Sequence, residues 1–275
     1  MLWALLACAG EPEPALRGPD PAHYPTLFAA GRGERPVQAN PFLGRLVEGR
    51  WEADPRDLAS PTVATTFAAA FERRRGLHGE SVSEGRVTVD VVDVRRSKGV
   101  SGERLIDLAG GEGTTLIWNN EAPIERLRTE AVPEDAVNQE SRQALLETVY
   151  ELDAQHIECK GASERWDTTV VGHEPARSVE GHALVHWDLE FTREGKKEET
   201  GRALFLETGG PVRSSATAPY LKLCGKTRPI DARADLPFRV GEGPPLVLVE
   251  VRCTCDEWRF VILDLELAEA VLWSW

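Results

Sequence analysis

Two histidines and an aspartate lie close together in one segment, and residues of these types can support acid–base or metal chemistry. His182 and His186 are four residues apart, and Asp188 follows two residues later. On a helix both imidazoles could bind one metal ion, but alternating apolar and polar residues from 181 to 192 predict a strand. Four residues of strand separate the two Cα atoms by about 13 Å, too far for a shared ion. We therefore interpret these side chains as a solvated strand face, on which His186 and Asp188 could form a dyad.

Four of the five cysteines lie in the second half of the chain, at Cys159, Cys224, Cys253 and Cys255. If the domain is exported, an even number of cysteines favours two disulfides. Two residues of strand would place the Cα atoms of Cys253 and Cys255 about 6.6 Å apart, near the upper limit for a bridge. We therefore expect each of them to pair with Cys159 or Cys224. Reduced buried thiols and a thiolate metal site are the alternatives, although the spacing differs from that of structural zinc sites.

Motifs that would indicate catalysis or nucleotide binding are missing. The glycine-rich run from Gly110 to Gly113 lacks the Lys and Ser/Thr of a phosphate-binding loop. The chain has no Gly-x-Ser-x-Gly nucleophile elbow. From the sequence we therefore predict no catalytic residue, no cofactor-binding or metal-binding residue and no cofactor.

The fifth cysteine ends a short apolar run, Leu5-Leu6-Ala7-Cys8. This run resembles the lipobox of bacterial lipoprotein signal peptides, in which the cysteine is lipidated and becomes the new amino terminus. The resemblance implies a signal peptide over residues 1–8 and a membrane anchor at Cys8. Ala9 behind the cysteine implies an extracytoplasmic protein at the outer membrane, on its periplasmic side or on the cell surface.

Residues 9–41 contain seven prolines and four glycines. Such a segment buries little apolar surface, so we predict a solvated tether between the lipid and the folded domain. A cytoplasmic protein with a proline-rich start is the alternative interpretation of both amino-terminal segments.

The composition indicates a globular domain with an acidic surface. The chain has 275 residues, a net charge of −13 and 41% hydrophobic residues. This charge excludes nucleic acid as a partner, because phosphate binding needs a basic surface. We predict a single domain over residues 42–275. A helix followed by several strands occurs twice, which suggests two related halves, 42–132 and 133–275.

The pattern of apolar residues predicts an α+β fold, mainly antiparallel β in a barrel- or sandwich-like sheet with about two helices. One helix is predicted from Ser60-Pro61 to Gly76 and a second from about 134 to 153. We expect eight to eleven strands, and the last ten residues fit either helix or strand. The clearest strand segments are 87–91, 105–108, 114–118, 181–192, 203–206, 246–251 and 260–267.

Function follows from the sequence less directly than fold. The leading hypothesis is a non-enzymatic binding or scaffold module, held at the cell envelope of a bacterium by its lipid anchor, with an envelope protein or glycan as partner. Several tryptophans could stack on a glycan, although core packing is the favoured role of each: Trp51, Trp118, Trp166, Trp187 and Trp258. The alternatives are a carrier with a hydrophobic cavity for a lipid or acyl chain, and an envelope hydrolase whose site converges in three dimensions.

Overall fold

The computed structural model describes residues 28–33, 37–42, 44–47, 50–53, 68–96, 104–119, 122–133, 143, 146–147, 150, 152, 154–159, 162–208, 215–217, 224, 228–255 and 258–273. Cys8 and the predicted signal peptide lie outside the described residues. Within them the fold is mainly antiparallel β, as the sequence predicts.

The described residues form twenty strands, more than the eight to eleven expected. The first eight are β1 (Phe28–Arg32), β2 (Val37–Pro41), β3 (Gly44–Val47), β4 (Arg50–Ala53), β5 (Leu77–Ser81), β6 (Gly85–Arg96), β7 (Arg104–Ala109) and β8 (Thr115–Trp118). The others are β9 (Ile124–Arg126), β10 (Glu130–Ala131), β11 (Gln155–Cys159), β12 (Ala162–His173), β13 (Arg177–Val179), β14 (His182–Arg193), β15 (Lys196–Thr208), β16 (Ser215–Thr217), β17 (Asp231–Val240), β18 (Leu246–Arg252), β19 (Trp258–Asp264) and β20 (Glu269–Trp273).

Six of these strands close into an antiparallel barrel in the order β1-β2-β7-β6-β5-β8. The alternation of valines in β6 explains why one face of that strand turns inward, where Val89 and Val91 pack with Leu108. Phe71, from a short turn outside the strands, is fully buried in the same cluster. Side chains thus fill the interior, as expected for a barrel this narrow. Strands β3 and β4 form a separate hairpin.

Strands β1 and β2 correct the extent of the predicted tether, because both lie within residues 9–41. Ala29, Ala30 and Ala39 are fully buried there. Their side chains are small enough for a narrow barrel, and a count of prolines and glycines does not detect such a strand. The rest of the predicted tether, residues 9–27, lies outside the described residues.

The other large sheet has the order β10-β13-β14-β15-β17-β18-β19-β20, with β9, β11, β12 and β16 attached at its sides. Predicted strand segments form two hairpins here, the long one of β14 with β15 and that of β18 with β19. The contact of β15 with β17 is parallel and consists of one register pair, Arg202 with Asp231. Close by, a Cβ added to Gly201 would lie 1.8 Å from the carbonyl oxygen of Ile230, so β15 can approach β17 only with glycine at this position.

The prediction of about two helices is not confirmed. Helical backbone in the described residues is limited to 68–69 and to positions 143, 146, 147 and 150, and the rest of both predicted segments is mostly outside that part of the chain. Of the ambiguous last ten residues, Glu269–Trp273 form strand β20. No helix in the described part of the chain has the length and apolar character needed to span a bilayer.

The barrel packs against the larger sheet through one apolar cluster, which positions the polar site described below. Phe28, Leu116 and Trp118 of the barrel share this cluster with Phe238 and Phe260 of the larger sheet. We call this contact the junction.

Candidate functional site

The cysteines form two pairs at disulfide distance, in agreement with the predicted disulfides. Cys159 lies beside Cys255 with a Cα–Cα distance of 5.3 Å, and Cys224 lies beside Cys253 at 5.1 Å. Each member of the closely spaced pair Cys253 and Cys255 therefore has a distant partner, as the strand geometry predicts. Both bridges connect the end of β18 to other parts of the chain.

His186 does not lie on a solvated face, so that interpretation is wrong for this residue. The side chain is buried, and its Nε2 accepts a hydrogen bond from the backbone N–H of Ala234 in β17 at 3.1 Å. Burial, helped by the positive charges of Arg202 and Arg177, lowers the pKa of His186 to about 4. The ring is therefore neutral at pH 7 and acts as a hydrogen-bond acceptor within the fold.

The dyad that the sequence allowed between His186 and Asp188 is replaced by a network of ion pairs. Asp188 Oδ1 lies 3.2 Å from Arg202 Nε, and Arg202 also contacts Glu174 at 2.8 Å. The Nδ1 atom of His186 is 3.8 Å from Glu174, beyond hydrogen-bond distance. Such an arrangement offers no nucleophile and no oriented base, so it does not favour catalysis.

A second polar site, which the sequence did not predict, lies at the junction and contains two carboxyl groups. Glu250 of β18 is 2% exposed. Asp235 of β17 is the extra residue of a β-bulge, because Ala234 pairs with Val249 while Leu236 pairs with Leu248. A bulge redirects the side chain it inserts, and here that side chain meets Glu250. We call these two residues the carboxyl pair.

The barrel contributes two contacts to the carboxyl pair. The hydroxyl of Thr114 lies 3.2 Å from Asp235 Oδ2 and 3.0 Å from Glu250 Oε2. Arg32 of β1 donates from Nη1 to Glu250 Oε1. Polar groups from both sides of the junction therefore meet at one place.

The glycine-rich loop between β7 and β8 places Thr114 at the carboxyl pair. Gly110, Gly111 and Gly113 all have positive φ angles, which only glycine adopts without strain. The carbonyl oxygen of Glu112 accepts hydrogen bonds from two serine hydroxyls, those of Ser81 at 2.7 Å and Ser83 at 2.9 Å. These contacts fix the residue that precedes Gly113 and Thr114, so the loop has a structural role.

Electrostatics at the carboxyl pair favour retention of a proton. Burial is the main cause that raises the pKa of Asp235 to about 7, and the negative charge of Glu250 acts in the same direction. The Thr114 hydroxyl and the charge of Arg233 lower the pKa but do not outweigh burial. The Thr114 hydroxyl carries a single hydrogen for the two carboxyl groups beside it, so a proton kept on Asp235 supplies a second donor at this place.

The tryptophans give little support to a glycan-stacking surface. Trp118, Trp166 and Trp187 are buried in the core, so the expectation that core packing is their role is confirmed. Trp258 is half-buried, and its ring is contacted by the guanidinium carbons of Arg32 and Arg252, 4.6 and 5.5 Å from the ring centroid. Those contacts cover part of the ring that a sugar would need.

A cavity of about 410 Å³ lies elsewhere, lined by Glu125, Arg126, Leu127, Arg128, Glu130 and Glu180. Charged walls of this kind do not suit a lipid or acyl chain, and side chains fill the barrel interior. The described residues contain no cluster of three or more His, Cys, Asp or Glu side chains that could hold a metal ion.

One face of the sheet formed by β11, β12, β14 and β15 is exposed, and we call it the open face. On β12, Arg165, Asp167 and Thr169 are exposed, while Trp166 and Thr168 between them are buried. Register pairs continue the face from Thr169 to Glu190 and from Glu190 to Thr200. Its other members are His156, Glu158, Val171, Thr192 and Lys197.

Comparison with protein-family models, with curated proteins and with solved structures finds no match for this chain.

Proposed function

We propose that this protein is a non-enzymatic binding module of the bacterial cell envelope, anchored through Cys8, which holds a protein partner on its open face. The main support for this proposal is the alternation of exposed and buried side chains along β12. This alternation leaves one side of four adjacent strands accessible while the other side packs in the core.

The open face has the size and charge expected of a protein-binding surface. The three long strands span about 40 Å by 14 Å, and the short β11 adds a little more, which gives on the order of 650 Å², within the range for one side of a standard protein interface. Positive and negative side chains are mixed, as in the ion pair between Glu190 and Lys197 at 2.8 Å. A mixed surface of this kind suits a protein partner better than a polyanion.

The bulge residue Val171 provides a sharp test of the open face. Val171 is 59% exposed on that face, and Val92 is a matched control, because it is also a bulge residue and is 65% exposed on the barrel. Capture of partners from envelope extract is measured with wild-type protein, Val171→Asp and Val92→Asp. We expect Val171→Asp to weaken capture by about tenfold or more, since a buried charge opposes association. Equal capture by all three proteins would refute the proposal.

The proposed anchor is tested separately. Wild-type protein expressed from its own start should partition into detergent, and Cys8→Ser should remain in the aqueous phase. Equal partitioning of the two proteins would contradict lipidation.

The carboxyl pair favours a second candidate, an envelope hydrolase with Asp235 as proton donor. A carboxyl with a raised pKa is a suitable general acid near neutral pH. Against this candidate, both oxygens of Glu250 are engaged by Arg32 and Thr114. A hydrolase screen of the purified protein at pH 5.5 distinguishes the two, because turnover that disappears in Asp235→Asn would replace the binding proposal.

A further inference from the structure

The junction combines apolar packing with a polar bridge, and the two parts respond differently to pH. Apolar packing of residues such as Phe28 and Phe238 does not depend on proton binding. The polar bridge does depend on it, because Arg32 and Thr114 reach from the barrel to two carboxyl groups of the larger sheet.

We propose that the carboxyl pair is a proton-operated latch: a proton shared by Asp235 and Glu250 holds the barrel against the larger sheet, and loss of that proton loosens the junction. This inference is independent of the proposed binding function.

The hydrogen-bonding capacity of the groups favours a proton shared by the two carboxyl groups. The hydroxyl of Thr114 carries one hydrogen and lies within hydrogen-bond distance of an oxygen on each carboxyl group. If both carboxylates were ionised, that hydrogen would be the sole donor between them, and they would repel each other. With a proton on Asp235, that carboxyl can donate, and all three groups can form one connected set of hydrogen bonds.

The charged groups around the pair come from several elements. Arg32 of β1 binds Glu250 but is itself 42% exposed, so water screens its charge. Arg233 of β17 is near Asp235, and its Nε binds Asp231 at 2.9 Å. From β14, neutral His186 contacts Ala234 next to Asp235. These groups do not fully compensate a second negative charge, since the pKa of Asp235 remains raised to about 7.

The latch predicts how opening of the junction depends on pH. In the closed state the pair keeps its proton up to about pH 7, whereas a solvated Asp235 would return to its ordinary pKa of 3.8. The opening equilibrium constant should therefore rise by up to about tenfold per pH unit between these two values and level off above the higher one. The closed junction is thus stabilised at acidic pH.

Amide hydrogen exchange of the full chain measures the opening. The N–H of Val82 donates to the carbonyl oxygen of Thr114 at 2.9 Å, and the Val82 side chain packs against the apolar cluster of the junction, so this amide reports on the barrel side of the junction. The N–H of Thr168, bonded to Leu152, serves as a remote reference. After correction for intrinsic base catalysis, protection of Val82 should fall relative to that of Thr168 between pH 5 and 7.

Two variants show whether the carboxyl pair causes this dependence. Asn at position 235 has nearly the shape of a protonated aspartate and can donate to Glu250, so Asp235→Asn should keep the junction closed and remove the pH dependence. Asp188→Asn is the matched control, because it removes a carboxyl of the same sheet that binds Arg202, and it should retain the dependence. A pH-independent Val82 in wild-type protein, or an unchanged dependence in Asp235→Asn, would overturn the proposal.

A direct titration of wild-type protein keeps the proposal testable if Asp235→Asn does not fold. The carboxyl carbon of Asp235, followed by carbon-13 NMR, should titrate near pH 7. A midpoint near pH 4 would show that no proton is retained and would overturn the latch.

Discussion

Two titratable side chains lie at adjacent positions along β17, and burial shifts their pKa values in opposite directions. His186 accepts the backbone N–H of Ala234, and burial lowers its pKa to about 4. Asp235 is the next residue, and burial raises its pKa to about 7. Burial favours the neutral form of each group, so it removes a proton from the histidine and retains one on the carboxyl.

The comparison also shows that a β-bulge has no fixed function. In β12 the bulge turns Val171 outward, where it is 59% exposed, whereas in β17 the bulge turns Asp235 toward the buried Glu250. Both strands contain the same kind of bulge, and the element that packs beside it determines whether the bulged side chain is exposed or buried. Next to β17 that element is the barrel, which supplies Thr114.

The largest loss of stability is expected from Gly201→Ala, which should move His186 away from the carboxyl pair. The new Cβ would lie 1.8 Å from Ile230 O and 2.9 Å from Phe191, so β15 must move away from the start of β17. His186 on β14 would move with its partner strand β15, while the carboxyl pair lies on the paired strands β17 and β18. We expect a loss of more than about 3 kcal/mol in unfolding free energy, measured by equilibrium denaturation.

Gly172→Ala is the control for this substitution. A Cβ at position 172 would lie 3.8 Å from Oδ2 of Asp188, which is an ordinary van der Waals distance. We expect a change within about 0.5 kcal/mol. If Gly201→Ala cost no more than Gly172→Ala, the close approach of β15 to β17 would not hold the two sites together.

Sequence patterns predicted strands with a clear alternation or an apolar run and missed strands with neither, such as β12, in which the polar Thr168 occupies a buried position. The valines of β6 and the apolar run of β18 identify their strands, and strand geometry favoured distant partners for Cys253 and Cys255, which the structure shows. Strands β1 and β2 were missed because alanine gives no strong apolar signal.

The candidate site was harder to predict than the fold. Glu250 gave a usable signal, since a charged residue inside the apolar run 246–251 must have a buried partner. Asp235 gave no such signal, because no residue pattern in the sequence indicates the bulge that turns its side chain. Alternation placed His186 on the polar side of β14, but that side meets β17 through a contact between strands distant in sequence.

The pH dependence of stability provides the second test, and its sign differs between the two sites. His186 has a lowered pKa in the folded state, so its contribution to stability is fully present above pH 6.5 and is lost as the pH falls through about 4. Asp235 has a raised pKa, so its contribution to stability is fully present below pH 3.8 and is lost as the pH rises through about 7. Between pH 4 and 6.5 the two slopes oppose each other, each about 1.4 kcal/mol per pH unit.

Single variants should separate these slopes. Relative to wild-type protein, the unfolding free energy of Asp235→Asn should rise with pH by about 1.4 kcal/mol per unit between pH 4.5 and 6.5. That of His186→Gln should fall by a similar amount, because glutamine keeps an acceptor but binds no proton. Urea denaturation at pH 4.5, 5.5 and 6.5 gives both slopes. Slopes of the same sign would show that the two sites do not differ in the way the structure indicates.

The smallest expected effect compares His186 with its neighbour Asp188 at pH 7. His186→Ala leaves the N–H of Ala234 without its acceptor in a buried position, which should cost about 1–3 kcal/mol. Asp188→Ala removes an ion pair with Arg202 whose side chains are 37% and 32% exposed, and it should change stability by at most about 1 kcal/mol. His186→Gln should recover part of the loss, since its amide oxygen can accept the same hydrogen bond. If His186→Ala lost no more stability than Asp188→Ala, the result would support the interpretation of His186 as part of a solvated face, which the alternation of β14 first indicated.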